Sequence, residues 1–265
     1  MDAIRLYIAF LKVSFLTQLE YRAEYVVRMI GKLLSFGSGF AIIAILLARF
    51  GSIGSWSTYE MLLLYALNIL CYSLGATFTM PINNISSRIA AGQIDSILTK
   101  PVNPMVFFIC QNVSAGYTSN YVISIGIMAV CFAKLEVEIT LFKIFWLLLS
   151  IIGGALIHAA ALTASGVPSF WLVKSSALSR IFYWELANFV EYPLSIYAIG
   201  AQVLLTFVLP YAFVNYYPAQ MFLSKNDMMF HPVLQYMTPL VGIICFALAY
   251  RFWKFGLDAY QSSGS

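Results

Sequence analysis

Apolar residues in this chain arrive in blocks close to 20 residues long, separated by short polar stretches that carry most of the charge. A helix needs about 20 such residues to cross the hydrocarbon core of a bilayer. A soluble fold is excluded, because its elements must each keep a polar face for water. Composition agrees: residues of the types Ala, Val, Ile, Leu, Met, Phe, Trp, Tyr and Cys make up 61% of the chain, and charged residues only 10%, against about 25% in soluble domains. The expected fold is an all-α integral membrane domain over residues 1–265 with six transmembrane helices.

The first segment differs from the rest. At about 100° per residue, Asp2, Arg5, Lys12 and Glu20 fall within an arc of roughly 80°, and Ile4, Tyr7, Ile8, Leu11, Phe15 and Leu19 lie largely outside it. This pattern predicts an amphipathic interfacial helix over 1–27, the alternative being a first span with charges near its end. Recurrent charge and the lack of a small-residue cleavage site argue against a cleavable signal. Spans are then expected near 28–50, 58–80, 105–133, 141–166, 191–216 and 233–252. Pro81 is expected to end the second. The third has a polar middle, including Gln111, Asn112 and Asn120, and a break is expected there, with 105–111 in the interface. Gly153 and Gly154 suit close packing of the fourth, and Pro193 and Pro210 interrupt the fifth.

Residues 81–104 form the longest polar connection, punctuated by Pro81, Pro101 and Pro104, with Ile85, Ile89, Ile94, Ile97 and Leu98 spaced for one short helix or two. Six spans place both termini on one side. Eleven of the Lys and Arg residues sort with them, on the N-terminal helix, the 81–104 and 167–190 connections (Lys174 and Arg180 among them) and the tail; Arg49, Lys134, Lys143 and Lys225 sort to the other side. The basic side is the cytoplasmic one. Both termini and the 81–104 loop are thus expected inside and 217–232 outside.

Chemistry of the familiar kinds is missing from the sequence. There is no G-x-x-x-x-G-K-[ST] phosphate loop, no H-E-x-x-H and no G-x-S-x-G. Cys71, Cys110, Cys131 and Cys245 are far apart in apolar stretches and read as buried packing residues. His158 and His231 are too distant to make a metal site by themselves. No basic cluster with interleaved aromatics points to nucleic acid. Glu60 and Glu191 lie near span ends, where interfacial placement explains them; Glu191, beside Pro193, is the better site candidate, since a broken helix frees carbonyls. Asn68, Asn112, Ser114, Thr118 and Ser119 are candidates for a substrate path, although helix–helix hydrogen bonding explains them equally well. An ion- or proton-coupled carrier would want acidic residues in mid-span, and almost none occur.

Four segments resemble the permease subunits of type-2 ABC transporters, in the six-span branch without a fused ATPase. They are Tyr21-Arg-Ala-Glu24 at the end of the amphipathic helix; Arg88-Ile-Ala-Ala-Gly-Gln-Ile-Asp-Ser-Ile-Leu-Thr-Lys-Pro-Val-Asn-Pro104, similar to a G-x-[IL]-D-x-x-L-x-[KR]-P stretch; Leu209-Pro-Tyr-Ala-Phe-Val-Asn-Tyr-Tyr-Pro-Ala219; and the tail Trp253 to Ser265. The resemblance implies two permeases, as a homo- or heterodimer, paired with two cytoplasmic ATPase subunits that bind ATP and Mg, with no cofactor on this chain. It implies that the loop after the second span is a coupling helix docking in the ATPase, with candidate residues Arg88, Gly92, Asp95, Ile97, Leu98, Lys100 and Pro101. Arg88, Asp95 and Lys100 are expected to make charge contacts and Ile94, Ile97 and Leu98 an apolar ridge. The resemblance also implies a re-entrant cap at 217–232 on the outer side. An aromatic content of 16% suits a hydrophobic or amphipathic cargo, drug-like or lipid-like, and suits lipid-facing packing as well; the resemblance implies export, and the expected location is the plasma membrane.

Overall fold

The computed structural model describes residues 3–172, 180–185, 187–225 and 227–260. Lys174 and the tail beyond Tyr260 lie outside them. α1 (Ala3–Glu20) and α2 (Arg22–Phe50) meet at a corner at Tyr21. Residues 22–27, expected to continue the interfacial helix, instead belong to the helix of the first span. A two-residue hairpin, β1 (Ser52–Ile53) with β2 (Trp56–Ser57), leads into α3 (Thr58–Asn83).

α3 is the centre of the molecule. It is apolar all round because it is buried all round, between α2, α7 (Thr118–Lys134) and α8 (Leu141–Gly166). Pro81 does not end it, contrary to expectation. Proline lacks the N–H that would bond the carbonyl four residues back; here the Ser114 N–H donates to that Thr77 carbonyl at 2.9 Å. The helical path continues past Asn84 through α4 (Ile85–Ala90). Polar side chains along α3 are paired with its neighbours, as an apolar surround demands. Asn120 Nδ2 donates to Ser73 Oγ at 3.0 Å, and Asn83 Nδ2 to Ser165 Oγ at 2.6 Å.

The adjacent glycines of α8 serve two neighbours. A Cβ on Gly154 would fall 2.7 Å from Cys71 Sγ on α3, and one on Gly153 2.6 Å from the Thr238 carbonyl. Thr238 opens α11 (Thr238–Asp258), the last helix. The expected start of the sixth span at 233 is instead a 3₁₀ turn, Pro232–Tyr236.

The third and fifth expected spans are both discontinuous. The third is α6 (Pro104–Gln111), a break at 112–114, a 3₁₀ turn and then α7. At 17 residues α7 is about 25 Å long, at the lower limit for a span. In the fifth, α9 (Ile199–Val203) runs on as a π-helical turn to Val208, and after Leu209 and Pro210 a 3₁₀ turn leads into α10 (Tyr216–Leu223). The two arms meet at 77°, and Pro193 precedes only short 3₁₀ structure, so no straight helix fills 191–216. Among the described residues four helices are long and apolar enough to cross a membrane, and five if the bent pair is one span. The fold is thus all-α and membrane-spanning; a sixth crossing is not established.

Candidate functional site

The 81–104 connection folds as two short helices, α4 and α5 (Gln93–Leu98), joined at Gly92. Gly92 has φ +65°, a left-handed conformation that costs a side-chain-bearing residue roughly 1–2 kcal/mol. Space is not the constraint, since the nearest atom to an added Cβ is Asp95 Oδ2 at 4.0 Å.

The isoleucines of this loop face inward. Ile85, Ile94 and Ile97 are buried in a cluster with Met105, Phe107, Phe108, Phe170 and Trp253, and Ile89 packs against it. The expected external ridge of Ile94, Ile97 and Leu98 is therefore corrected. The first two anchor the loop, because their apolar side chains have a ready core beneath them, and only Leu98 stays exposed, at 42%. Lys100 and Pro101 are exposed beside it, with the Lys100 ammonium 4.4 Å from the centre of the Phe107 ring. Arg88 is half-buried, 5.4 Å from the Phe108 ring centre, and donates to Gln93 Oε1 at 3.2 Å. Partial burial and the neighbouring Asp95 carboxylate push the Tyr260 phenol above its ordinary range.

Asn103, not singled out from the sequence, closes the loop. Its Oδ1 accepts from the N–H groups of Met105 and Val106 (3.1 and 3.2 Å), capping α6 with Pro104 in the first turn. Its Nδ2 donates to the Tyr250 hydroxyl of α11 at 2.8 Å, and its own N–H to the Tyr7 hydroxyl of α1 at 3.2 Å. An Asn-Pro pair before an apolar run is an N-cap signal; its two distant tyrosines leave no local mark. Through these contacts the first helix, the loop and the last helix converge on one end of the molecule.

The opposite end holds a second polar cluster. Asp227 Oδ2 accepts from Trp56 Nε1 (2.7 Å), Ser195 Oγ (2.7 Å) and Ser55 Oγ (2.9 Å). Burial favours the neutral carboxyl, but these donors and Lys225 outweigh it and hold Asp227 below the usual carboxylate range. Lys225 pairs with Glu60 at 2.8 Å and donates to the Ser55 carbonyl. Lys143 donates to the Phe222 carbonyl at 3.1 Å. The cations therefore segregate by end: Arg88, Lys100 and Lys254 at the loop end, Lys143 and Lys225 at the other.

The path candidates are not gathered into one cavity. Asn68 is buried and its Oδ1 bonds His158 Nε2 at 3.1 Å, while His158 Nδ1 bonds the Tyr183 hydroxyl at 2.9 Å. Thr118 Oγ1 accepts from the Tyr25 hydroxyl and Ser119 Oγ donates to the Met29 carbonyl, both on α2. These are helix–helix bonds. Asn112 and Ser114 line a cleft between α1, α2 and the α6–α7 break. Glu191 stands apart, half-buried in a 3₁₀ turn. A separate apolar cavity of about 510 Å³, walled by Ile157, Ala161, Ala164, Leu248 and Phe252, lies between α8, α11 and the bend at Leu209–Pro210.

A helical bundle of several membrane-crossing lengths, with an anchored helix pair at one end and a bent apolar pair at the other, is a polytopic all-α membrane protein. Its family follows from the sequence as a whole: the model of the ABC-2 family transporter protein matches residues 33–264, and the chain belongs to that family. It is the membrane component, or permease, of an ABC transporter. A search of curated proteins found no match.

Proposed function

We propose that this permease is the membrane half of an ATP-driven exporter, in which two permease subunits, identical or sister chains, pair with two ATPase subunits. ATP and Mg are bound by the ATPase partners. The edge of the loop that stays exposed, Leu98-Thr-Lys-Pro101, with Arg88, Gly92 and Asp95 behind it, is the surface an ATPase subunit grips. The observation that carries this reading is the tethering of that edge. With Ile94 and Ile97 fixed in the core and Asn103 bonded to α1 and α11, a push on the loop moves helices instead of being absorbed by a slack connection.

The gathering of Arg88, Lys100 and Lys254 at this end supports a cytoplasmic position for it and for both termini, in the plasma membrane, with 217–232 outside. The apolar cavity and the aromatic content favour a hydrophobic or amphipathic, lipid-like cargo. Carriage coupled to an ion gradient has less support, since among the described residues no Asp or Glu is buried. The test is the complex bearing Asp95→Lys or Gly92→Leu. Membrane insertion is expected to survive while ATPase assembly or transport-linked hydrolysis is lost. Normal assembly and hydrolysis in both variants would overturn the coupling role.

A further inference from the structure

The cleft between α1, α2 and the α6–α7 break has a volume of about 550 Å³ and an uneven lining. Phe10 and Val13 make an apolar wall on α1. Asn112 and Ser114 make a polar wall at the break, where the chain leaves the helix. Thr17 and Arg28 stand at the neck, shared with a smaller adjoining cavity that reaches Tyr21 and Tyr25. Gly116, in the 3₁₀ turn that follows the break, faces α2: a Cβ there would come 3.5 Å from Arg28 Cβ and 3.6 Å from Lys32 Cε, so both basic stems lie against this turn. The single carboxylate at the neck is Glu24, which pairs with Arg28 at 2.5 Å; both side chains are more than half exposed. An exposed pair of this kind holds weakly, and a phosphate, which offers several acceptor oxygens, displaces it readily.

We propose that this cleft binds the headgroup of an anionic phospholipid from the surrounding leaflet. Its phosphate would sit on Arg28 with the Asn112 and Ser114 side chains in reach, and its glycerol and upper acyl carbons would lie against Phe10 and Val13. The corner between an amphipathic helix and the first turns of a span is at headgroup depth, and basic pockets between helices on the cytoplasmic side suit such headgroups. The proposal rests on α1 lying in the membrane surface and not on any cargo, so it stands or falls apart from the export reading.

The test is native mass spectrometry of the purified full chain with phosphatidylglycerol, with phosphatidylcholine of the same acyl chains, and with glycerol 1-phosphate. The chain is expected to retain one phosphatidylglycerol in preference to phosphatidylcholine. Arg28→Gln should weaken that retention about fivefold or more, Arg28→Lys should restore much of it, and Lys12→Gln, an exposed cation outside the cleft, should leave it unchanged. Val13→Trp, which fills the apolar wall without touching the cation, should lower it as well and decides the matter if Arg28→Gln does not fold. Equal retention of the two lipids, or retention unaffected by both Arg28→Gln and Val13→Trp, would overturn the proposal. Competition by glycerol 1-phosphate as effective as by lipid would make this an anion site without a lipid.

Discussion

Asn103 joins three helices with one side chain and one N–H, and its two functions can be separated. Asn103→Asp keeps the acceptor for the Met105 and Val106 N–H groups but loses the donor to Tyr250. Asn103→Ala loses both. The alanine variant should lose about 1–2 kcal/mol of stability from the cap and the half-buried bond together, and the aspartate variant about half of that, read from denaturant unfolding of the purified permease. At the other end Asp227 sets a pH dependence. Its carboxyl is held below the ordinary value in the fold, so its contribution is complete above the unfolded pKa of about 3.9 and is lost as pH falls through the folded one. Fluorescence from Trp56 should therefore be constant from neutral pH down to about pH 4 and change below it, with Trp56→Phe as the blank. Asp227→Asn should show the altered signal already at neutral pH.

At the scale of elements the contact between α3 and α8 is the critical one. Gly154→Leu drives a side chain into Cys71 and should cost about 3 kcal/mol or more through overpacking, whereas Gly126→Leu on α7, where nothing lies within 4 Å, should be near neutral. Thermal denaturation of the two variants side by side checks this. How legible such elements are in sequence differs for physical reasons. The start of α8 is readable to the residue because its limit is local: Thr140 Oγ1 accepts from the Lys143 N–H, and a mostly apolar run follows to Gly166. Pro81 misled because its missing bond is made good by Ser114, a donor far along the chain that no local rule can supply. Ile94 and Ile97 allowed an outward or an inward face. Phe107, Phe108 and Trp253 decide between them, and these come from two other helices. The polar break of the third span and the bend at Pro210 were visible as composition. That they leave α7 short and turn the fifth segment by 77° was not, since neither follows from residue type alone.

At the scale of the whole molecule, the two ends have different constructions. The end opposite the 81–104 loop is cross-braced by Asp227, Lys225 and Glu60, which tie the α2–α3 turn to the segment after α10. The loop end is braced only on its inner side and leaves Leu98, Lys100 and Pro101 open. That asymmetry suits the proposed coupling to a separate ATPase, which needs one stiff end and one end with a handle anchored to several helices. The most direct measurement is photo-crosslinking in intact membranes, with a photoreactive residue at Leu98 and, as comparison, at Leu141, which is 87% exposed at the opposite end of the bundle. Adducts between Leu98 and an ATPase subunit, with none from Leu141, are the expected result. ATPase adducts from Leu141, or none from Leu98 in a complex that hydrolyses ATP, would contradict it.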